Sequence, residues 1–90
     1  DATVLVAQII PLEPGPEFGC ADCGERAVAL NERIPDWAAG LSTERSPVVV
    51  VDQWTDFDPA VDTDDGVHPN EAGNVKIAAN WFSALDDVLP

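Results

Sequence analysis

Two apolar stretches decide the fold: residues 3–10 read TVLVAQII, and residues 48–51 read VVVV. Neither stretch alternates between apolar and polar positions, so both faces of each predicted strand should be buried, as in a parallel sheet. Residues 25–41 and residues 71–88 each repeat apolar side chains at helical spacing. The order strand, helix, strand, helix predicts an α/β protein built on a parallel sheet.

The two predicted helices contain different local signals. Pro35 interrupts the first and should bend it or divide it into two short pieces, because proline has no amide hydrogen and collides with the preceding turn. Asn70 is in position to cap the second. The second helix carries an apolar stripe that includes Phe82, and the indole rings of both helices are expected in the core. These rings belong to Trp37 and Trp81.

Length and charge exclude several classes of protein. Ninety residues fit one small domain, and 46% hydrophobic residues are too many for a disordered acidic tail. Four Lys and Arg residues against 17 Asp and Glu residues give a net charge of −13. This charge argues against nucleic-acid binding through phosphates and against anionic membrane surfaces. The apolar stretches are also too short to span a bilayer.

Two parallel strands leave two open edges and are rarely stable alone in water. The sequence therefore predicts a part of a larger sheet. The remainder should come from a longer parent polypeptide, from a second cleaved chain or from an oligomer partner.

The segment Asp65-Gly66-Val67-His68-Pro69-Asn70 carries the clearest chemical signal. It lies beyond the carboxyl end of the second strand, where open α/β sheets hold ligands. His68 is the only histidine, and Asp65 precedes it by three residues, so the carboxylate can bind one ring nitrogen while the other faces a cleft. The structural alternative is a loop histidine that binds a nearby acid where the helix begins.

This segment, followed by Ala72-Gly73 and an amphipathic helix, resembles the last conserved block of the SGNH hydrolases, also called GDSL esterases. The resemblance implies a flavodoxin-like three-layer α/β/α fold of which residues 1–90 form the C-terminal β-α-β-α part. It implies that Asp65 and His68 are the acid and base of a Ser-His-Asp triad. Further similar segments are residues 3–11, 30–35 and 48–52.

The family's nucleophilic serine and its oxyanion donors belong to earlier blocks that these 90 residues do not contain. Ser42, Ser46 and Ser83 lie in other contexts, and none follows a predicted strand at a strand-to-helix turn. The resemblance therefore implies an N-terminal segment or a separate chain that carries the serine. The 90 residues alone should be inactive, and no metal or organic cofactor is needed.

The segment 51–65 is similar to secreted bacterial members of carbohydrate esterase family three, which deacetylate xylan. The similarity implies a secreted esterase for an acetylated carbohydrate, with a lipase or short-chain acyl esterase as the alternative. Trp54 is a candidate substrate-binding residue, because aromatic rings in a cleft can stack on sugars. It could equally pack the loop onto the sheet. A non-catalytic acidic α/β binding module is the rival from another class.

Cys20 and Cys23 have Cys-x-x-Cys spacing. A local structural disulfide in an oxidising compartment is the favoured interpretation, with redox catalysis and free thiols as alternatives. A zinc site would need two further ligands. Residues 53–69 read as a long acidic loop without regular structure. Its aspartates could bind Ca²⁺, but they do not follow the EF-hand spacing, so a solvated acidic loop is favoured.

Overall fold

The computed structural model describes all 90 residues and contains a two-stranded parallel sheet. Strand β1 spans Val4–Ala7 and strand β2 spans Val48–Val51. Helix α1, Cys23–Leu41, connects them, and the short helix α2, Pro59–Asp62, and the long helix α3, Glu71–Val88, follow β2. The predicted α/β class, the parallel sheet and the element order are confirmed, with α2 as an addition.

Strand β1 is shorter than the predicted residues 3–10 because a side chain replaces its partner strand. Pairing with β2 runs from Val4 opposite Val48 to Ala7 opposite Val51. Beyond it, the Ile9 amide donates to Asn31 Oδ1 (2.8 Å), and Asn31 Nδ2 donates back to the Ile9 carbonyl oxygen (2.8 Å). The buried side-chain amide of Asn31 thus makes the two hydrogen bonds with the Ile9 backbone that a neighbouring strand would otherwise make.

Helix α1 is a single element that begins two residues earlier than predicted and continues through Pro35. Of the two expectations for Pro35, division into two short pieces is wrong, and a single helix is found. The buried residues of α1 follow helical spacing on both sides of the proline, so packing holds the helix together across the missing hydrogen bond. These residues are Ala27, Asn31, Ile34 and Ala38.

Helix α3 has the predicted bounds and the predicted cap. Asn70 Oδ1 accepts from the Gly73 amide (3.0 Å), which satisfies one of the free donors of the first turn. The buried side chain of Gln53 connects α3 to the end of β2. Its Nε2 donates to the Ile77 carbonyl oxygen (3.2 Å), and its Oε1 accepts from Asn80 Nδ2 (2.8 Å).

The apolar faces of the long helices are largely uncovered. Trp37 is 56% exposed, so its predicted place in the core is wrong within these 90 residues, while Trp81 is half-buried. Phe82, on the predicted apolar stripe of α3, is 72% exposed. The stripe of α3 also exposes Val75, Leu85 and Leu89. The apolar core consists of Ala27, Ile34, Ala38, Val51 and Phe57.

Global dimensions agree with this incomplete burial. The accessible surface is 6078 Å², whereas a self-contained domain of 9.6 kDa should expose about 5,100 Å². The radius of gyration is 14.7 Å, against about 12 Å for a compact domain of this length. None of the helices combines the length and apolar character that crossing a membrane requires.

Candidate active site

The connection between β2 and α3 has more regular structure than the predicted acidic loop. Helix α2 begins after Asp58, whose side chain accepts from the Ala60 amide (3.0 Å), and Pro59 occupies its first position. An N-cap aspartate followed by proline is a recognisable helix start, so the sequence contained this signal. Residues 63–69, which follow α2, are called the acid–base loop below.

The two ends of the acid–base loop are held together. The Asn70 amide donates to the Asp62 carbonyl oxygen (2.9 Å), and Asn70 Nδ2 donates to the Val61 carbonyl oxygen (2.9 Å). Thr63 and Pro69 form an isolated antiparallel bridge. The residue that caps α3 therefore also closes the loop, which fixes the loop relative to the helix axis.

Inside the loop, Asp65 binds backbone and side chain at once. Its Oδ1 accepts from the amides of Val67 (2.9 Å) and His68 (2.7 Å), and its Oδ2 lies 2.6 Å from His68 Nδ1. The His68 amide, the His68 ring and the Val67 amide, in that order, lower the pKa of Asp65 to about 2. Asp65 is therefore an anion at neutral pH and accepts a hydrogen bond from Nδ1.

His68 is oriented but accessible. Its side chain is 74% exposed, and no side chain or backbone group binds Nε2. Because a carboxylate only accepts hydrogen bonds, Nδ1 carries the proton of the neutral ring and Nε2 keeps its lone pair. The arrangement can take a proton from a hydroxyl group at Nε2 and hold the resulting imidazolium beside an anion.

The tip of the loop is fixed by a neighbouring segment. The Gly66 amide donates to Thr63 Oγ1 (2.7 Å), and the Glu13 amide of the β1–α1 connection donates to the Gly66 carbonyl oxygen (2.9 Å). Gly66 has φ 83°, and the Glu13 carbonyl oxygen occupies the space where a Cβ would lie. Only glycine fits here, for its backbone conformation and for the close approach of the second loop.

The residue that directly precedes the loop, Asp62, has a buried carboxylate. Asp62 is fully buried, and its Oδ2 accepts from the Asp58 amide (2.8 Å) and from Lys76 Nζ (2.7 Å) of α3. These two donors lower the pKa of Asp62, the amide more than the lysine. Lys76 Nζ also donates to the Asp56 carbonyl oxygen (2.7 Å). The lysine thus fastens two points of the connection to α3. Asp62 was expected in a solvated acidic loop and is instead fully buried, and sequence analysis had assigned Lys76 no role.

Trp54 lines a cavity that does not include the Asp65–His68 pair. It is half-buried and lines a cavity of about 290 Å³ at the carboxyl ends of both strands, together with Gln8 and Asp52. Asp52 accepts from the Thr55 hydroxyl and from backbone amides, chiefly the former, which lowers its pKa. Neither Asp65 nor His68 lines this cavity.

An aromatic ring that sequence analysis did not single out lies beside His68. The ring centroids of Phe18 and His68 are 6.1 Å apart, and their planes are inclined at 44°. The segment containing Phe18 is tied to α1 by a disulfide between Cys20 and Cys23, with a Cα–Cα distance of 5.4 Å. The Asp22 carboxylate and both sulfur atoms lie within 4.8 Å of one another, but the disulfide leaves no thiolate to bind a metal.

Comparison with known proteins places the chain among esterase structures. No family model matches the sequence, and no curated protein matches it. A carbohydrate esterase family 3 structure from Talaromyces cellulolyticus is similar to this chain, with a TM-score of 0.70 and 32% identity over 97% of this chain. A serine-to-alanine mutant of an acetyl esterase, solved with an acetate ion, gives a TM-score of 0.72 and 32% identity over the same share.

The chain covers 41% of each of these structures. Its small α/β fold matches the C-terminal portion of an SGNH-type carbohydrate esterase fold, as the sequence resemblance implied. The predicted fold class is thereby confirmed, and the chain has carbohydrate esterases as its structural neighbours.

Proposed function

We propose that the chain is part of a serine esterase of the SGNH type, with residues 1–90 forming the C-terminal part of one hydrolase domain. The observation that carries this proposal is the Asp65–His68 contact of 2.6 Å, which leaves Nε2 free. An anionic acid, an oriented base and an open ring nitrogen are what acyl transfer by a serine requires. The similarity to two esterase structures supports the assignment.

In this reaction His68 Nε2 takes the proton of the serine hydroxyl while the serine oxygen attacks the ester carbonyl carbon. The same proton then passes to the alcohol oxygen as the carbon–oxygen bond breaks, and the acyl group stays on the serine. Water repeats the sequence and releases the acid. Asp65 keeps the His68 ring in one tautomer and stabilises the imidazolium in both halves of the reaction.

The serine and the oxyanion donors would come from an N-terminal segment or a separate chain. More than half of each neighbouring structure lies outside the match. The open edges of β1 and β2 and the exposed apolar faces of α1 and α3 offer surfaces for such a segment. Because the missing groups supply much of the rate enhancement, the 90 residues alone should not hydrolyse esters.

The proposed substrate is an acetylated carbohydrate of the acetylxylan type. The support is the family of one neighbour and the acetyl esterase activity named for the other. Trp54 remains a candidate for sugar binding, since its ring lines a cavity rich in polar side chains. Other short-chain esters, as in a lipase of the same family, are the alternative. The Cys20–Cys23 disulfide supports secretion, because disulfides persist in oxidising compartments.

The first test combines intact mass with covalent labelling. The denatured mass of every polypeptide in the purified protein shows whether a serine-bearing segment accompanies these residues. A fluorophosphonate probe should then label a serine outside the 90 residues, and His68→Ala should abolish both labelling and acetate-ester turnover. Arg45→Ala, at an exposed surface position, is the matched control and should label like the wild type.

Two results would count against the proposal. Turnover of an acetate ester by the pure 90-residue chain, lost in His68→Ala, would show that no serine from elsewhere is needed. Labelling and turnover that persist in His68→Ala would show that His68 is not the base, and a wild-type protein with neither labelling nor turnover would favour the second candidate, a non-catalytic acidic binding module. The observation behind that candidate is the absence of a suitably placed serine together with a net charge of −13.

A further inference from the structure

The Phe18 ring is exposed although it lies beside the proposed base. It keeps 39% of its surface accessible while its centroid lies 6.1 Å from that of His68. It comes from the β1–α1 connection and not from the acid–base loop. A large apolar ring left open to solvent beside a reactive nitrogen is a surface on which a ligand can settle.

The turn that carries Phe18 is restrained on both sides. Residues Pro16–Phe18 form a 3-10 helix, in which the Phe18 amide donates to the Gly15 carbonyl oxygen (3.1 Å). Gly19 follows with φ 61° and donates to the Pro16 carbonyl oxygen (3.1 Å). The Cys20–Cys23 disulfide comes next. A ring presented by such a turn loses little further freedom when a ligand binds.

The chemistry of ester cleavage decides which half of the substrate lies near this ring. When His68 returns its proton, the leaving alcohol oxygen must lie about 3 Å from Nε2. This oxygen is then about 4 Å from the centre of the imidazole, which is closer than the Phe18 ring at 6.1 Å. The acyl group, in contrast, stays bound to the serine. The alcohol half extends away from the serine, so a side chain that reaches His68 from the β1–α1 connection is placed to contact this half of the ester.

We propose that Phe18 recognises the alcohol half of the ester and that its ring stacks on the apolar face of a pyranose. The proposal rests on the esterase function proposed above and assigns alcohol specificity to one residue of the β1–α1 connection. Phe18 thus distinguishes a sugar acetate from the acetate of a small alcohol. It does not distinguish between acyl groups.

The test uses the complete protein, including the segment that carries the serine. The kcat/KM values of Phe18→Ala and Phe18→Leu are measured for an acetylated xylo-oligosaccharide and for ethyl acetate, which share the acyl group. In Phe18→Ala, the value for the oligosaccharide should fall about tenfold, mostly through KM, and the value for ethyl acetate should stay within about twofold. Phe18→Leu keeps apolar bulk without an aromatic face and should restore only part of the loss.

Glu17→Ala changes the same 3-10 helix without touching the ring, so it should leave the ratio of the two substrates unchanged. A parallel fall for both substrates in Phe18→Ala would overturn the proposal, because it would mean that the ring only supports His68 or packs against the rest of the domain. The esterase function would survive that result, since ethyl acetate turnover would still depend on His68. If His68→Ala hydrolyses ethyl acetate as well as the wild type, the esterase function fails, and the role of Phe18 fails with it.

Discussion

The acid–base loop and the outer faces of the two long helices differ in how many contacts they make within the 90 residues. The loop has its anchors within the 90 residues: Asn70 closes its base, Glu13 binds its tip and Lys76 fastens the segment below it. The outer helix faces expose large apolar side chains such as Trp37 and Phe82, with nothing packed on them.

This difference shows that a site and a core are completed by different means. A few directional hydrogen bonds between near neighbours in sequence are enough to fix a carboxylate against an imidazole. Apolar stabilisation instead grows with the area removed from water, so it needs the mass of a whole domain. The chain can therefore hold its acid and base in place while its core is still incomplete.

Replacing Lys76 should lower the stability of the protein more than any of the other substitutions below that test the acid–base loop. Lys76→Met leaves the fully buried Asp62 carboxylate without its counter-ion, and removing one partner of a buried pair is strongly destabilising. We expect the melting temperature to fall by on the order of ten degrees in a calorimetric scan. The control is Arg26→Met, which removes an exposed ion pair with Asp22 and should have little effect. Equal melting temperatures of the two variants would contradict this view of Asp62.

Two glycines test how tightly the loop tip is held. Gly66 and Gly19 both have positive φ, but only Gly66 has a neighbouring carbonyl oxygen in the space of a Cβ. Gly19→Ala should cost roughly 1 kcal/mol of the free energy of unfolding, through backbone strain alone. Gly66→Ala should cost more than twice as much, as measured by urea denaturation. If both variants lose the same amount, the contact with Glu13 does not restrict the tip.

Low pH should remove the contribution of Asp65 to the free energy of unfolding. Its pKa is lowered from 3.8 to about 2 in the folded state, so the unfolded chain binds this proton more readily. The carboxylate therefore stabilises the fold above about pH 4, and this contribution is lost as the pH falls towards 2. Asp65→Asn should differ most from the wild type near neutral pH and converge with it in acid, in urea titrations at several pH values.

Asp64→Asn is the matched control for this titration, because the neighbouring Asp64 is exposed and forms no hydrogen bond. Its free energy of unfolding at neutral pH should equal that of the wild type. A difference for Asp65→Asn that stays constant from neutral pH to strong acid would mean that the contacts of this carboxylate do not form in solution.

The smallest effect is expected on the outer face of α3. Phe82→Ser should change the free energy of unfolding of the 90-residue chain by less than about 0.5 kcal/mol, because the ring is 72% exposed. Phe57→Ala, at a ring that is 7% exposed, should cost about 3 kcal/mol or more. In the complete protein Phe82→Ser should become costly too. If it remains neutral there, no segment covers this face.

Local signals in the sequence were sufficient for β2 and for α3 with its Asn70 cap, and the spacing of Asp65 and His68 made their contact possible. Each depends on residues within one turn or one strand of each other, so short-range chemistry determines it. The end of β1 could not be predicted in this way. It depends on the Asn31 side chain, which reaches Ile9 across 22 positions of sequence.

Tertiary contacts also account for the remaining errors. Pro35 was expected either to bend α1 or to divide it, and buried residues on both sides of the proline keep one helix. The helical spacing of apolar residues placed Trp37 on a face that should be buried, but within this chain nothing covers that face. Phe18 stands in a Pro- and Gly-rich segment without periodicity, so only the fold brings it to His68.

The hydrogen bond from Glu13 to Gly66 has a consequence for how ligands enter and leave the site. It couples the loop that carries Phe18 to the loop that carries His68. Neither loop can swing outward as a lid without pulling on the other, and such a movement would disturb the acid–base contact. The two loops should therefore move as one unit, and independent opening of either loop requires this hydrogen bond to break.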